Sequence, residues 1–273
     1  MRYHIIALLT LLAFALPVWA QVSITNGIAI GGDQTQAVKV TGAAKKASVL
    51  PDTLGLEQWY QWPNYTKATG GNSKWLDSGP LGNNATNTTD SKAPTVGSGY
   101  LVFNGSATQW LLGNTSTGFL TATSWTHVFR AKVPPLSVSW GLTYSNCALG
   151  QHRVIFSSSG TLRPTGYVNN TNAPCTADFW DYGNWHTYAI VFTDLLNGHT
   201  SVTWYRDGAQ IGAIGDCAAN EVSTNCSPGM WIFGYPPGNY LSGSCNLKYW
   251  LLYNTSKSAA QIHAITTYLQ GLP

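Results

Sequence analysis

Side chains able to move protons or hold metal ions are sparse in this sequence and poorly spaced for catalysis. Hydrolysis of a glycosidic bond needs two carboxyl groups flanking the scissile bond, one to protonate the leaving oxygen and one to attack or to activate water. The 273 residues contain two glutamates, Glu57 and Glu221, far apart in sequence. Asp178 and Asp181 are a close carboxylate pair, but positions three apart on a strand point to opposite faces, so this pair reads as loop or surface. His127, His152, His186 and His199 are scattered, with neither metal-ligand spacing nor a Gly-X-Ser-X-Gly nucleophile motif. Gln261-Ile262-His263 superficially offers an imidazole for proton abstraction, yet it falls within a helical pattern. Catalysis is therefore the least supported class of function.

Two other chemistries remain. Asp77 and Asp90, together with Asp178 and Asp181 and with Asn83 or Asn104 nearby, are candidate calcium donors, against the plainer reading of solvated loop acids. Aromatic residues are the richer signal. Trp59, Tyr60, Trp62 and Tyr65 cluster early, Trp180, Tyr182 and Trp185 cluster midway, and Tyr235, Pro236, Pro237 and Tyr240 share a loop. Such rings can stack on the apolar face of a sugar or pack against a protein partner. Trp185, Trp204 and Trp231 lie in strand patterns and are expected in the core. Trp180, Tyr182, Tyr235 and Tyr240 lie in loop contexts and are the candidate ligand-binding residues.

The elements that must position these groups are mostly strands. Tyr100–Phe103, Trp125–Phe129, Val154–Phe156 and Trp185–Phe192 are short β-type runs separated by turn residues, the signature of a sandwich. Asp207-Gly208, inside the run from Ser201 to Ile211, predicts a tight hairpin turn that needs positive φ angles. Ser258 followed by Gln261 predicts a capping box ahead of Ile262, Ile265, Tyr268 and Leu269, which share one helical face. The stretch from Lys67 to Gly99 is rich in Gly, Asn, Ser, Thr and Pro and reads as long surface loop.

The order of these segments resembles the laminin-G-like branch of the concanavalin A-like lectin/glucanase superfamily over about Leu56 to Leu269. Four places carry the resemblance. They are Trp75-Leu76-Asp77-Ser78-Gly79 with Tyr100–Ser106; Trp185-His186 opening a long strand; Val202–Gly208 ending in Tyr-X-Asp-Gly; and Trp231–Gly234, Leu241–Cys245 and Leu251–Ser258 ahead of the final helix. The resemblance implies an all-β fold, a two-sheet antiparallel β-sandwich (jelly roll) with one short C-terminal helix. It implies no particular function, because that scaffold carries lectins, adhesion modules, enzymes and structural proteins.

Organisation and compartment follow from composition. Arg2, the apolar run from Ile5 to Leu16 and Pro17-Val18-Trp19-Ala20 read as a signal peptide over 1–20, with cleavage near Gln21. An uncleaved anchor is the alternative, although twelve apolar residues span only about 18 Å of a roughly 30 Å hydrocarbon core. Residues 21–55 carry no aromatic residue until the chain nears Trp59 and are expected to form an extended arm or, equally, edge strands. The sandwich domain is expected over 56–273. The net charge of +3 is scattered, and only 9% of residues are Asp, Glu, Lys or Arg, which argues against nucleic acid as a partner.

Export would favour disulfides among Cys147, Cys175, Cys217, Cys226 and Cys245. An odd number leaves at least one of the five unpaired within the chain. Cys147 with Cys175, and one bond among the last three, is the favoured arrangement. Asn64, Asn84, Asn87, Asn104, Asn114, Asn169, Asn225 and Asn254 begin glycosylation sequons, which matter only where exported proteins are glycosylated. The expected protein is a secreted, extracellular, non-catalytic glycan-binding or adhesion module with a glycan or protein partner. The alternatives are a structural subunit of a filament, surface layer or virion that self-assembles through residues 21–50, and a divergent polysaccharide-cleaving enzyme.

Overall fold

The computed structural model describes residues 49–104, 109–116, 119, 122–133, 140–147, 153–156, 161–165, 177–178, 181, 183–196, 199–219, 226–232 and 245–273. Among them the chain forms sixteen strands and a C-terminal helix. In order these are β1 (Leu56–Thr66), β2 (Ser73–Asp77), β3 (Ala85–Asn87), β4 (Thr95–Val96), β5 (Leu101–Phe103), β6 (Leu111–Gly113), β7 (Trp125–Lys132) and β8 (Trp140–Cys147). There follow β9 (Arg153–Phe156), β10 (Thr161–Thr165), β11 (Ala177–Asp178), β12 (Trp185–Asp194), β13 (His199–Arg206), β14 (Ala209–Ala219), β15 (Cys226–Ile232), β16 (Cys245–Tyr253) and α1 (Ala259–Gln270).

Hydrogen bonding links the strands antiparallel along the path β11-β10-β9-β8-β15-β6-β3-β2-β1-β16-β7-β12-β13-β14. The first half of this path makes one layer of a β-sandwich and the second half makes the other. β1 serves both, pairing with β16 from Leu56 to Gln61 and with β2 chiefly at Tyr65 and Thr66 across a register break. Period-two alternation decides which side chains meet between the layers. Trp125, Phe129 and Ala131 of β7, Tyr188, Ile190 and Phe192 of β12, and Trp250 and Leu252 of β16 point inward. There they join Tyr60, Trp75, Phe103 and Trp204 in one buried core.

A second core lies on the outer face of the β1-β16-β7-β12 layer. Val128, Ala189, Val191, Leu251 and Tyr253 point outward and are covered by Ile262, Ile265 and Leu269 of α1. Each large aliphatic side chain buried in this way contributes roughly 1.5–3 kcal/mol. The expected capping box is present, with the Ser258 side chain accepting from the Gln261 backbone and the Gln261 side chain accepting from Ser258 N–H. Gln261-Ile262-His263 thus belongs to a helix start. The expected hairpin turn also forms, with Asp207 at φ +52° and Gly208 at φ +83° between β13 and β14. A side chain at Gly208 would both strain that φ and press on Thr266 and His263 of α1.

Two expectations change. The polar stretch 67–99 contributes β2 and β3 to the sandwich, and Trp75 and Ala85 are fully buried within it. Its polarity is tolerated because buried Asn87 donates to the Lys92 and Trp110 carbonyls. That same burial leaves the Asn87 amide no room for a glycan.

Ahead of β1 the described residues already pack with the terminal helix. Leu50 is buried against α1's core, and Asp52 pairs with buried Lys257 at 3.1 Å while also accepting from Gln261. Residues 1–48, which hold the expected signal peptide and most of the expected arm, lie outside the described residues.

Finally, Trp185 and Trp231 are only half-buried, whereas Trp204 is buried as expected.

Of the cysteines, Cys245 is a free, buried thiol whose proton burial holds firmly in place. Cys147 and Cys226 occupy directly opposed positions of β8 and β15. Cys217 lies in β14, and Cys175 lies outside the described residues.

Candidate functional site

The outer face of the β12-β7-β16-β1 layer divides into rows set by strand register. The first row, Ala189, Val128, Leu251 and Trp59, lies under α1. Next come Thr187, Arg130, Tyr249 and Gln61, and then Trp185, Lys132 and Asn246. Beyond Tyr249, whose hydroxyl donates to the Pro273 carbonyl, α1 no longer covers the face.

A β-bulge changes what is displayed there. The register of β16 against β7 shifts between Leu247 and Tyr249. Leu247 and Trp250 point into the core, so Lys248 and Tyr249 are consecutive residues on the outer side. A bulge re-aims side chains in this manner. Lys248 Nζ consequently lies 5.4 Å from the centre of the Trp185 ring, within cation–π range. Burial, and then repulsion from Arg130, lower the Lys248 pKa.

Tyr100 packs against Trp185, its ring centre 5.5 Å away at a tilt of 58°. Tyr100 closes the turn between β4 and β5, where Gly97 N–H donates to the Tyr100 carbonyl at 2.8 Å. A Cβ at Gly97 would come within 2.5 Å of the Tyr100 ring, so glycine is required for this packing. Trp62 continues the aromatic surface toward α1, where Trp59 meets Tyr268 at 6.1 Å. The buried indole nitrogens of Trp59 and Trp62 and the buried Nε and Nη1 atoms of Arg130 have no hydrogen-bond partner among the described residues.

The segment leading into β12 is fixed by a separate charged cluster. His186 contacts Asp181 through Nε2 at 3.0 Å and Asp207 through Nδ1. Asp207 also accepts from Thr187 N–H and from the Gln270 amide. Burial raises the Asp207 pKa, but the Thr187, His186 and Gln270 contacts outweigh it and hold the group below the ordinary carboxylate range. Hydrogen bonds from Asn184 and then His186 do the same for Asp181. Both ring nitrogens of His186 are engaged by carboxylates, which leaves neither to move a substrate proton. The cluster anchors the start of β12 and so positions Trp185.

The other acids named from sequence organise loops. Asp77 accepts from the Trp59, Gly79 and Asn83 amides, each at 2.8 Å, and Asp90 accepts from the Gly70 and Gly71 amides. Among the described residues no group of three His, Cys, Asp or Glu could hold a metal ion. Glu57 is buried and bonded to Ser116 and to the Asn254 amide. Asp178 is described as part of β11, while Trp180, Tyr182, Tyr235 and Tyr240 lie outside the described residues.

Sequence reasoning missed Arg130, Lys132 and Lys248. The alternation of β7 puts Arg130 and Lys132 on one face and was available as a signal; the bulge at Lys248 was not.

No family model matches the chain, and no curated protein matches it. Solved structures share its fold. Trypanosoma rangeli sialidase in complex with sialic acid superposes with a TM-score of 0.59 at 14% identity, over 82% of this chain and 34% of the sialidase. The binding domain of botulinum neurotoxin serotype D/C gives 0.57 at 15% identity, over 80% of this chain and 53% of that one. A further likeness, with a TM-score of 0.57 at 14% identity over 79% and 51%, is to botulinum neurotoxin type C, which depends on interaction with two ganglioside molecules to enter cells. The chain thus spans about a third of the sialidase and about half of the toxin chains, and at these identities the likeness is one of fold. The fold is an all-β, jelly-roll-like sandwich with a short C-terminal helix.

Proposed function

We propose that this chain is a secreted, non-catalytic glycan-binding or adhesion module of the laminin-G-like type, and that it binds sugar on the open part of the outer face. The observation that carries this reading is the half-exposed Trp185 ring, braced by Tyr100 and flanked by Lys248. An indole held rigidly on a sheet can stack on a pyranose ring, and it loses little conformational entropy in doing so. Proteins of like fold that carry sialic acid or depend on gangliosides support the class of ligand. Against catalysis, the Asp181 and Asp207 carboxylates are both committed to His186, and Glu57 is bonded to Ser116 and Asn254.

The test is a glycan array followed by calorimetry on the best ligands. Trp185→Ala is expected to weaken binding about tenfold or more, consistent with loss of roughly 1.4 kcal/mol or more of stacking, while no new reducing or unsaturated ends appear on incubation. Undiminished binding by Trp185→Ala would overturn the site, and released ends would overturn the non-catalytic reading.

A further inference from the structure

We propose that the glycan bound at this face carries an acidic group, a carboxylate or a sulfate, and that Arg130, Lys132 and Lys248 receive it. The proposal rests on the reading of the open face as a glycan site and names its ligand class.

Register brings the three cations together. Lys132 stands directly between Trp185 of β12 and Asn246 of β16. Arg130 is the next outward residue of β7, roughly 7 Å along the strand. Lys248 reaches the same face through the bulge and leans over Trp185. The acids that form ion pairs among the described residues are committed elsewhere, Asp181 and Asp207 to His186 and Asp52 to Lys257. No described carboxylate pairs with Arg130, Lys132 or Lys248.

Three like charges gathered without a counter-charge raise the energy of the unliganded face, and two observations show that this is more than three solvated side chains. All three residues are half-buried rather than exposed. Lys248 loses its proton more readily because of burial and because of Arg130. A guanidinium has five donors and no acceptor, and a carboxylate or sulfate offers paired oxygens in matching geometry. One anion would therefore supply the missing charge. The adjacent Trp185 and Tyr100 rings favour a sugar as the bearer of that anion over a phosphodiester chain, since the patch is only three cations across and does not extend into a stripe.

The experiment compares one oligosaccharide in its uronic-acid form and in its carboxyl-reduced neutral form, with inorganic sulfate against chloride at matched ionic strength as a sugar-free probe. Wild-type protein is expected to bind the acidic sugar about tenfold or more tightly than its neutral counterpart, with an affinity that falls as salt rises. Arg130→Gln and, independently, Lys132→Gln should bring the two sugars to equal affinity. Sulfate should raise the melting temperature of wild type more than of either variant.

Equal binding of both sugars by wild type would overturn the acidic ligand and leave the glycan reading standing. A sulfate response with no binding of either sugar would overturn both, leaving a bare anion site. Tighter binding of a single-stranded oligonucleotide than of the acidic sugar would replace the glycan with nucleic acid.

Discussion

The covered and open halves of one sheet face are built from the same strands, β12, β7, β16 and β1, with the same alternation, yet they differ in every chemical respect. Under α1 the outward positions are Ala189, Val128 and Leu251. Two and four residues further along β7 they become Arg130 and Lys132, beside Trp185. The first set loses water to a helix of the same chain. The second is less covered, and presents rings and cationic side chains instead. The open part of the face begins where the covering element stops, and the stopping point is set by how α1 is anchored.

That anchor is the place to break the comparison with the largest effect. Buried Lys257 bonds Asp52 and the Leu54 carbonyl and lies 4.5 Å from the centre of the Tyr253 ring, just before α1 begins. Lys257→Ala leaves the Asp52 carboxylate without its ion-pair partner and is expected to lower stability by about 3–5 kcal/mol. Urea denaturation checks this. Glycan affinity measured well below the transition should be unchanged, since the open half does not use Lys257.

A second prediction sharpens the contrast from beneath. His127 is fully buried on the inner side of β7 between the Phe129 and Trp250 rings, with neither ring nitrogen hydrogen-bonded. Burial lowers its pKa to about 3. The unfolded chain takes up this proton near pH 6.5 and the folded chain does not, so stability is lost as pH falls from about 6.5 toward 3. At pH 4.5 the loss from this residue is about 3 kcal/mol. Denaturant midpoints across pH should show that slope in wild type and a markedly shallower one in His127→Leu.

The smallest effect belongs to the open half. Trp185→Ala, which removes the proposed stacking surface, should change unfolding free energy by only about 1 kcal/mol or less, because Trp185 lies outside both buried cores. A destabilisation as large as that of Lys257→Ala would show that Trp185 is a packing residue and that the two halves do not differ in kind.

Much of the framework is legible along the chain because it depends on local geometry. Asp207-Gly208 adopts positive φ where few other residue pairs would, and Ser258 with Gln261 closes its capping box within one turn of helix. The site is less legible. Trp185 reads as core because it opens an apolar strand, and only its place beyond the end of α1 leaves it half-exposed. The stretch 67–99 reads as loop because its polarity hides the burial of Trp75 and Ala85, which depends on hydrogen bonds to residues far away in sequence.

The amino-acid sequence by itself determined the all-β class, the alternating faces, the hairpin turn and the capped terminal helix, since each follows from steric and hydrogen-bonding preferences spanning a few residues. Tertiary structure alone decided which outward faces are covered. It also decided that a bulge turns Lys248 toward Trp185 and that Arg130, Lys132 and Lys248 stand together, with no ion-pair partner among the described residues. Those outcomes depend on the register between strands more than one hundred residues apart in the sequence, β7 and β16 above all, which no local preference encodes.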